Sequence, residues 1–399
     1  MHEPTPEPCG SARDFLVLSV SQFSLAFALN FMFVFFPFYI HAVSPLDEAG
    51  TLRWTGILLG AASAMAVVGS TIWGGLTDRW SPKTLFVRGL LSHAVLTAAM
   101  AFVTDLYLLL AIQLVRGFMG GISTIGLIII TAISREEEVA RRMGAYQSAL
   151  TLGQIFAPPL GAMAATAFGF QGAFLISSLM LGGVFAFASL ALSPVPPQPR
   201  RPAAASARRG GRWLLFAVAL AGTVQIVFLP AILPSILQRF AVAEAARVAT
   251  AGVVVFASGV AAAAGAYGFS RLAARISVPR LMLAAAGGAS LCQVLLILGD
   301  GPLAFTLVRM GQTACAAGIF PLVLARVAAG GRGKELGFVN AARFAGNAIG
   351  PLVATFVLAN ASLFALYCLL AAALGVAALT NHALSRGGGA RPDAPRDRD

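Results

Sequence analysis

Long apolar runs, separated by short stretches that hold charge, glycine or proline, dominate this sequence. A helix needs roughly 20 mostly apolar residues to cross a bilayer, and twelve runs are about that long. Hydrophobic residues make up 58% of the chain and charged residues 11%, whereas a soluble chain carries about 25% charged residues. A soluble core could not hide this apolar excess. We therefore predict an all-α integral membrane protein.

The twelve predicted segments are numbered in chain order. Their approximate bounds are 15–40, 54–74, 84–103, 107–133, 145–168, 172–192, 213–237, 249–269, 281–298, 303–327, 339–358 and 363–383.

Basic residues fix the predicted orientation, because cytoplasmic loops of membrane proteins are enriched in lysine and arginine. The net charge is 28 − 16 = +12, and most of the bases lie before segment 1, after segment 12 and in every second loop. Both termini are therefore predicted to be cytoplasmic, in a multi-pass protein of the cytoplasmic membrane. The expected partner is the lipid bilayer rather than nucleic acid, because the bases do not cluster on one solvated face.

A proline-rich basic stretch, 194–212, divides the segments into six and six and is predicted to be a cytoplasmic linker. The predicted regions are a cytoplasmic tail at 1–14, bundles at 15–193 and 213–384, and a disordered cytoplasmic tail at 385–399. An offset of 193 places Leu114-Val115-Arg116 on Leu307-Val308-Arg309, and an offset of 196 places Gly56 on Gly252. We therefore predict two pseudo-symmetric six-helix bundles with a binding site between the repeats near the midplane.

The loop between segments 2 and 3 carries a motif that names a family. Its sequence GGLTDRWSPK, residues 74–83, resembles the signature loop G-x-L-x-D-R-x-G-R-K of the major facilitator superfamily, although Ser81 and Pro82 depart from it. The resemblance covers the whole chain and implies the major facilitator fold. Its carboxylate could hold one conformation closed by facing a helix end or a base, an arrangement we call the latch. The alternative is a solvated loop that only sets topology. The predicted gating residues here are Gly74, Asp78, Arg79 and Lys83.

Two further motifs resemble those of the same superfamily. Arg116 in segment 4, with Gly120 four residues later, resembles the family's helix-4 motif, and the repeat places Arg309 at the same position in segment 10. Residues 153–162 of segment 5 resemble the helix-5 motif of the family's antiporters. Glycine and proline there would allow close helix contact and a bend that serves alternating access. The gating residues predicted from this motif and its repeat are Gly153, Pro158, Gly161, Gly346 and Pro351.

Polar residues recur at helical spacing within several apolar segments. The resemblance implies that segments 1, 4, 7 and 10 surround a central cavity whose sides are formed by segments 2, 5, 8 and 11. The residues predicted to bind substrate there are Gln22, Asn30, Gln113, Arg116, Gln147, Gln154, Gln225, Arg309, Gln312, Asn340 and Asn347. For either arginine alone, a structural role supported by carbonyl groups and by Gln113 or Gln312 is the alternative.

No acidic residue lies in the middle of a predicted segment. Proton-driven exporters of the family commonly carry such an acid, so protons as the coupling ion are implied by the resemblance alone. His93 could titrate, although a packed histidine is the alternative. A cavity with two arginines and no acid should repel organic cations and accept neutral or anionic amphiphiles.

These features predict a secondary transporter, acting as a monomer, that exports a small amphipathic organic molecule by alternating access. One alternative is an anion importer or exchanger with an arginine clamp, and another is a non-transporting sensor or scaffold. No catalytic residue, metal site or cofactor is expected.

Overall fold

The computed structural model describes residues 12–197, 212–329 and 333–387 of the chain. Regular structure within those ranges consists of α-helices and one 3₁₀ turn, Leu296–Leu298. The helices before the predicted linker are α1 Ala12–Phe33, α2 Phe36–Val43, α3 Glu48–Leu76, α4 Pro82–Met100, α5 Leu106–Phe118, α6 Ile122–Ile133 and α7 Glu136–Ala191. Those after it are α8 Arg212–Val227, α9 Leu229–Arg239, α10 Glu244–Leu272, α11 Val278–Leu295, α12 Pro302–Ala329, α13 Gly333–Asn360 and α14 Leu363–Gly387.

Each of the twelve predicted segments lies on one helix or on two consecutive helices. Ten stretches of the described residues are long and apolar enough to cross a membrane. One of them, Glu137–Ala191, holds segments 5 and 6, which meet at Gly169 with φ 69° and ψ 173°. Segment 3 corresponds to α4, which carries Lys83 and Arg88 and is not among the ten. The predicted all-α membrane fold with twelve spanning helices is confirmed.

Segments 1, 4 and 7 were predicted as continuous helices, and the structure breaks each of them in two. Proline has no N–H, so the carbonyl four residues earlier loses its helical donor. Pro37 lies just after the α1–α2 break, and Pro230 lies just after the α8–α9 break. The two prolines are 193 residues apart, which is the repeat offset. Segment 4 breaks between α5 and α6, where Gly121 has φ +86°, a conformation that favours glycine.

The described residues pack into two units whose boundaries differ from those of the predicted halves. Unit 1 contains residues 12–197, 227–260 and 347–362, and its core includes Leu18, Phe86, Ile125 and Tyr146. Unit 2 contains the described parts of 212–226, 261–346 and 363–387. Its core includes Val218, Ala285, Leu322 and Leu374.

Two glycine contacts inside unit 1 follow the internal repeat. A Cβ added at Gly56 of α3 would lie 1.9 Å from Thr355 Oγ1 and 3.0 Å from the Pro351 carbonyl oxygen of α13. A Cβ added at Gly252 of α10 would lie 2.6 Å from Ala162 Cβ and 3.5 Å from the Pro158 carbonyl oxygen of α7. The offset of 196 relates the two glycines, and the offset of 193 relates Pro158 to Pro351 and Ala162 to Thr355. The same close helix contact is therefore built twice.

The chain after α7 is fastened to unit 1 by three side chains. Asp14 Oδ1 accepts a hydrogen bond from the Ser193 N–H at 2.8 Å. Lys83 Nζ donates to the Leu192 carbonyl oxygen, and Ser81 Oγ donates to the Val195 carbonyl oxygen at 2.8 Å. Residues 194–197 of the predicted linker are therefore held against unit 1, while 198–211 lie outside the described residues. Residues 1–11 and 388–399 of the predicted tails also lie outside them, and α14 continues to Gly387, past the predicted boundary at 384.

Candidate functional site

Arg309 on α12 is buried within unit 2, with 1% of its surface exposed. Its Nη2 donates to the Ile226 carbonyl oxygen at 2.7 Å, and its Nη1 donates to the Gln225 carbonyl oxygen at 2.9 Å. Ile226 is the residue whose helical donor would have been the N–H that Pro230 lacks. Arg309 therefore replaces the hydrogen bonds that the end of α8 has lost.

Two glutamines complete this buried network. Gln312 Oε1 accepts from Arg309 Nη1 at 2.6 Å, and Gln312 Nε2 donates to Gln225 Oε1 at 2.6 Å. Gln225 Nε2 donates in turn to the Leu370 carbonyl oxygen of α14 at 3.0 Å. Both glutamines have no exposed surface. The network joins α8, α12 and α14. That Arg309, Gln225 and Gln312 contact the substrate stays a prediction.

Arg116, the repeat partner of Arg309, has a different environment. It is half-buried, and the hydrogen bond recorded for it in the described part of the chain runs from Nη1 to Met32 Sδ at 3.9 Å. The repeat offset places Met32 on Gln225, so Arg116 points to the equivalent helix break of α1 and meets a thioether there. A thioether is a weak acceptor. The guanidinium of Arg116 therefore has N–H donors whose recorded acceptor is weak, whereas Arg309 donates to carbonyl and amide oxygens.

The acidic residues of the described helices lie away from the position of Arg116. Every acidic residue inside a described helix lies among the first three residues of that helix: Asp14, Glu48, Glu136, Glu137, Glu138, Glu244 and Glu335. Negative charge at a helix N-terminus interacts favourably with the helix dipole. Asp47 and Asp105 cap α3 and α5, accepting from the N–H groups of Gly50 and Leu108. These positions place the acids at helix ends, away from the mid-span arginine.

The remaining predicted binding residues fall into two groups. Gln22 is buried and donates to Ser123 Oγ at 2.9 Å, and Gln113 is buried and donates to the Leu58 carbonyl oxygen at 3.0 Å. Asn30 is half-buried and donates to the Ala26 carbonyl oxygen of its own helix. More accessible positions are held by Gln147 and Gln154, both exposed, and by Asn347, which is half-buried, whereas the side chain of Asn340 lies outside the described residues.

An aromatic stripe on α1 runs beside the accessible residues of unit 1. The ring centroids of Phe23 and Phe27 are 5.9 Å apart, and those of Phe27 and Phe31 are 6.0 Å apart. Phe23 and Phe27 are half-buried. A Cβ added at Gly153 of α7 would lie 2.5 Å from the Phe23 carbonyl oxygen, so Gln154, the next residue, lies beside this stripe. The half-buried rings on α1 and the exposed amide of Gln154 on α7 therefore lie in neighbouring parts of unit 1, and Arg116 meets α1 at Met32, five residues beyond Phe27.

The predicted gating residues of the helix-5 motif serve two different contacts. Gly153 and Gly161 pack against the α1 backbone: a Cβ at Gly161 would lie 1.9 Å from the Phe31 carbonyl oxygen. Pro158 instead faces Gly252 of α10, and Pro351 faces Gly56 of α3. In unit 2, a Cβ at Gly346 would lie 2.7 Å from Thr223 Cβ on α8. The two proline contacts join residues from opposite sides of the predicted linker.

The predicted latch is not engaged by Asp78 among the described residues. Asp78 is half-buried and Arg79 is exposed, and the recorded hydrogen bond of Asp78 runs from its main-chain N–H to the Gly75 carbonyl oxygen. A Cβ at Gly74 would meet only Thr124 Cγ2, at 3.9 Å. Lys83 holds the end of α7 as described above. A latch that forms only in another conformation is consistent with this geometry.

Replacing Asp78 with asparagine should therefore slow transport about tenfold or more, while the melting temperature stays unchanged. The reason is that no side-chain hydrogen bond or ion pair of Asp78 is recorded among the described residues in this conformation, whereas the variant would lose a charged interaction in the latched one. Flux in proteoliposomes and thermal unfolding in detergent measure the two quantities. Glu137→Gln, which removes an exposed acid at the start of α7, is the matched control. Wild-type flux in Asp78→Asn would contradict the latch.

The motif search did not select Arg88, Trp73 or Arg343. Arg88 on α4 lies over the Trp73 ring, with its guanidinium carbon 3.4 Å from the ring centroid, and it donates to the Met119 carbonyl oxygen at 3.3 Å. Trp73 Nε1 donates to the neighbouring Phe118 carbonyl oxygen, so both side chains satisfy the α5–α6 break. Arg343 on α13 is exposed. For Arg88 and Arg343, the sequence feature that could have identified them is a charged residue within a predicted membrane segment.

His93 is buried and its Nδ1 lies 3.0 Å from the Gly89 carbonyl oxygen, the arrangement of a packed histidine.

Comparison with known proteins gives a consistent family match. The family profile described as Major Facilitator Superfamily matches residues 18–243. Among curated relatives, the Staphyloferrin B transporter of Staphylococcus aureus is 26% identical over 187 residues, which cover 47% of this chain and 45% of that protein. Multidrug resistance protein MdtG of a Rahnella species is 23% identical over 371 residues, 90% of each chain. The chain thus aligns with less than half the length of the first relative and with most of the second.

Solved structures show the same fold. A bacterial homolog of the human lysosomal transporter Spinster, crystallised in an inward-facing and occupied conformation, superposes with a TM-score of 0.76 at 15% identity. The superposition covers 96% of this chain and 100% of that one. At this identity the likeness shows the fold alone.

Proposed function

Because this chain belongs to the Major Facilitator Superfamily, whose members are transporters rather than enzymes, we propose that it exports a small amphipathic molecule, neutral or anionic, by alternating access. Export is supported by the antiporter-like helix-5 motif and by the relative MdtG, a multidrug resistance protein. A small organic substrate is also in keeping with the Staphyloferrin B transporter. A sensor or scaffold role is disfavoured by membership of a transporter superfamily. The proposed setting is a monomer in the cytoplasmic membrane with both termini in the cytoplasm.

Arg116 is the observation that carries the proposed substrate class. It lies ten residues into α5, about 15 Å along the helix, and it is half-buried with a thioether as its recorded acceptor. A charge at that depth is costly unless it faces a polar cavity or a partner. With the acids of the described helices confined to helix starts, a cation bound beside Arg116 would meet uncompensated repulsion. An anionic or neutral polar group would instead find hydrogen-bond donors.

The aromatic stripe explains why the substrate should be amphipathic. Phe23 and Phe27 offer apolar surface on α1, and Gln154 adds an exposed amide beside them. Binding sites for small molecules combine apolar walls with a few polar groups that fix orientation. The proposed site residues are therefore Arg116, Asn30, Gln147, Gln154 and the two phenylalanines.

A panel of matched amphiphiles tests this proposal. Each aryl carboxylate would be compared with its neutral amide and its amine in thermal-shift measurements, and compounds that stabilise the protein would then be followed in flux assays. Carboxylates and amides should stabilise the wild type more than amines. Arg116→Gln should reduce carboxylate flux about tenfold or more and leave amide flux close to wild type, because a charge-assisted hydrogen bond is lost.

Arg271→Gln provides the control for net charge, because Arg271 is an exposed arginine at the end of α10. It should leave the preference for carboxylates unchanged. Amines that stabilise the protein best, or an Arg116→Gln variant with unchanged carboxylate flux, would contradict the proposal. Flux should also be followed with and without an imposed pH gradient. A response supports proton coupling, and no response favours an exchanger or uniporter.

A further inference from the structure

Arg343 lies within the membrane-spanning part of α13, in the stretch Ala341–Asn360. Its side chain is exposed, and its guanidinium carbon lies 4.8 Å from the centre of the Phe320 ring on α12. That ring contact is the interaction recorded for it among the described residues. The motif search did not select it, since the repeat places Leu150 at the equivalent position of the first half.

The packing of the helices in unit 2 shows where Arg343 and Phe320 lie relative to the buried core. Helix α8 packs against both helices that carry the pair: a Cβ at Gly222 would lie 3.3 Å from the Ile319 side chain of α12, and one at Gly346 would lie 2.7 Å from Thr223. Helix α14 is joined to α8 through the bond of Gln225 to the Leu370 carbonyl. Helices α12 and α13 therefore both pack against α8, through neighbouring residues of that helix.

Helices α11 and α14 pack against this group of three helices. Ser290 of α11 donates to the Ala371 carbonyl oxygen of α14, and Ala289, Leu322, Ala342 and Leu374 are all fully buried in the core between these helices. Arg343 follows Ala342 directly but is exposed, and it reaches from α13 to the ring on α12. The guanidinium therefore lies outside this core, over the Phe320 ring, which is half-buried at the edge of the core.

We propose that Arg343 and Phe320 form a binding point for the anionic group of an amphipathic molecule. This inference deepens the proposed function and rests on it. Stacking on the ring occupies one face of the guanidinium and leaves the N–H donors at its edge free for a carboxylate, sulfonate or phosphate. The ring offers the adjoining apolar contact. Arg343 lies 17 residues from Asn360, about 25 Å along the helix, so this point lies near the end of the span that is predicted to face the cytoplasm.

The anion could come from a transported molecule or from the headgroup of an anionic phospholipid. Both share the same chemistry toward the guanidinium. We favour the transported molecule, because a lipid headgroup needs no aromatic surface beside the cation, whereas an aryl or alkyl carboxylate uses both. The two sources are separated by the lipid composition used in the test.

Binding of 2-naphthoate and of its neutral analogue 2-naphthamide would be measured by calorimetry with the full-length protein. Nanodiscs would contain phosphatidylcholine alone or with phosphatidylglycerol. Arg343→Gln should weaken 2-naphthoate binding about tenfold and leave 2-naphthamide binding unchanged in both lipids. Arg343→Lys keeps the charge but not the planar fork, so it should give an intermediate loss. Phe320→Leu should weaken the binding of both compounds.

The control variants separate this inference from the proposed function. Arg116→Gln tests the site on α5, and Arg271→Gln tests for a general effect of net charge. If Arg116→Gln weakens 2-naphthoate binding and the folded Arg343 variants do not, this inference is wrong and the proposed function stands. If only the Arg343 variants weaken it, the Arg343 point stands and the role of Arg116 is wrong. If phosphatidylglycerol competes with 2-naphthoate in the wild type and not in Arg343→Gln, the point is a lipid headgroup site, which overturns the proposal.

Discussion

Replacing Arg309 with glutamine is expected to destabilise the protein severely. The substitution removes the donor to the Ile226 carbonyl oxygen, which has no helical donor because Pro230 lacks an N–H. It also removes the donor to Gln312 Oε1, and Gln312 is fully buried whereas Ile226 is half-buried. A fully buried acceptor left unsatisfied costs about 1–3 kcal/mol, and a half-buried one costs less because water can reach it. The expected loss, above about 1–3 kcal/mol, is a substantial fraction of the free energy of unfolding of a typical domain.

Arg116→Gln is the matched control, because the internal repeat places Arg116 on Arg309. Its recorded acceptor is the Met32 thioether, so its loss should change the melting temperature by no more than about one or two degrees. Thermal unfolding of both purified variants in the same detergent checks the contrast. Equal losses of stability would contradict the structural role of Arg309. A folded Arg309→Gln variant that had lost only substrate affinity would restore the symmetric arginine clamp.

Replacing Gly56 with leucine should strongly reduce transport while the protein stays folded. A Cβ at this position would lie 1.9 Å from Thr355 Oγ1 and 3.2 Å from Leu352 Cα, so the larger side chain must push α13 away from α3. Alternating access requires the contacts between the two repeats to form and separate in turn. A contact that cannot form would hold the transporter in one state. The expected loss of flux is therefore about tenfold or more.

Cross-linking can report the position of α13 in this variant. Arg53 Nη2 donates to Asn360 Oδ1 at 2.7 Å across the same pair of helices. Cysteines placed at 53 and 360, in a background with the native cysteines replaced by serine, should be joined by a short bifunctional maleimide in the wild type and poorly in Gly56→Leu. Gly183→Leu on α7 is the control, because a Cβ there has no atom within 4 Å. Normal cross-linking and flux in Gly56→Leu would show that the contact is not needed for transport.

The sequence by itself determined the class of fold, the number of spans and the family. Backbone polar groups cannot remain unpaired in lipid, so an apolar run of about 20 residues must be helical to cross a bilayer. The helix breaks were harder to predict from hydropathy, since Pro37, Gly121 and Pro230 interrupt the hydrogen bonding without interrupting the apolar run. The loop motif named the superfamily because it combines a turn with charges at defined spacing.

Only the tertiary structure distinguished the two arginines. The tripeptide Leu-Val-Arg occurs at both 114–116 and 307–309, and local sequence treats the two copies as equivalent. Packing places Arg309 beside Gln225 and Gln312, whereas the repeat positions of those glutamines in the first half hold Met32 and Met119. A guanidinium bonded to amides and carbonyls becomes part of the framework, and one beside a thioether keeps its donors. That difference depends on side chains about 80 residues apart in the chain, which only folding brings together.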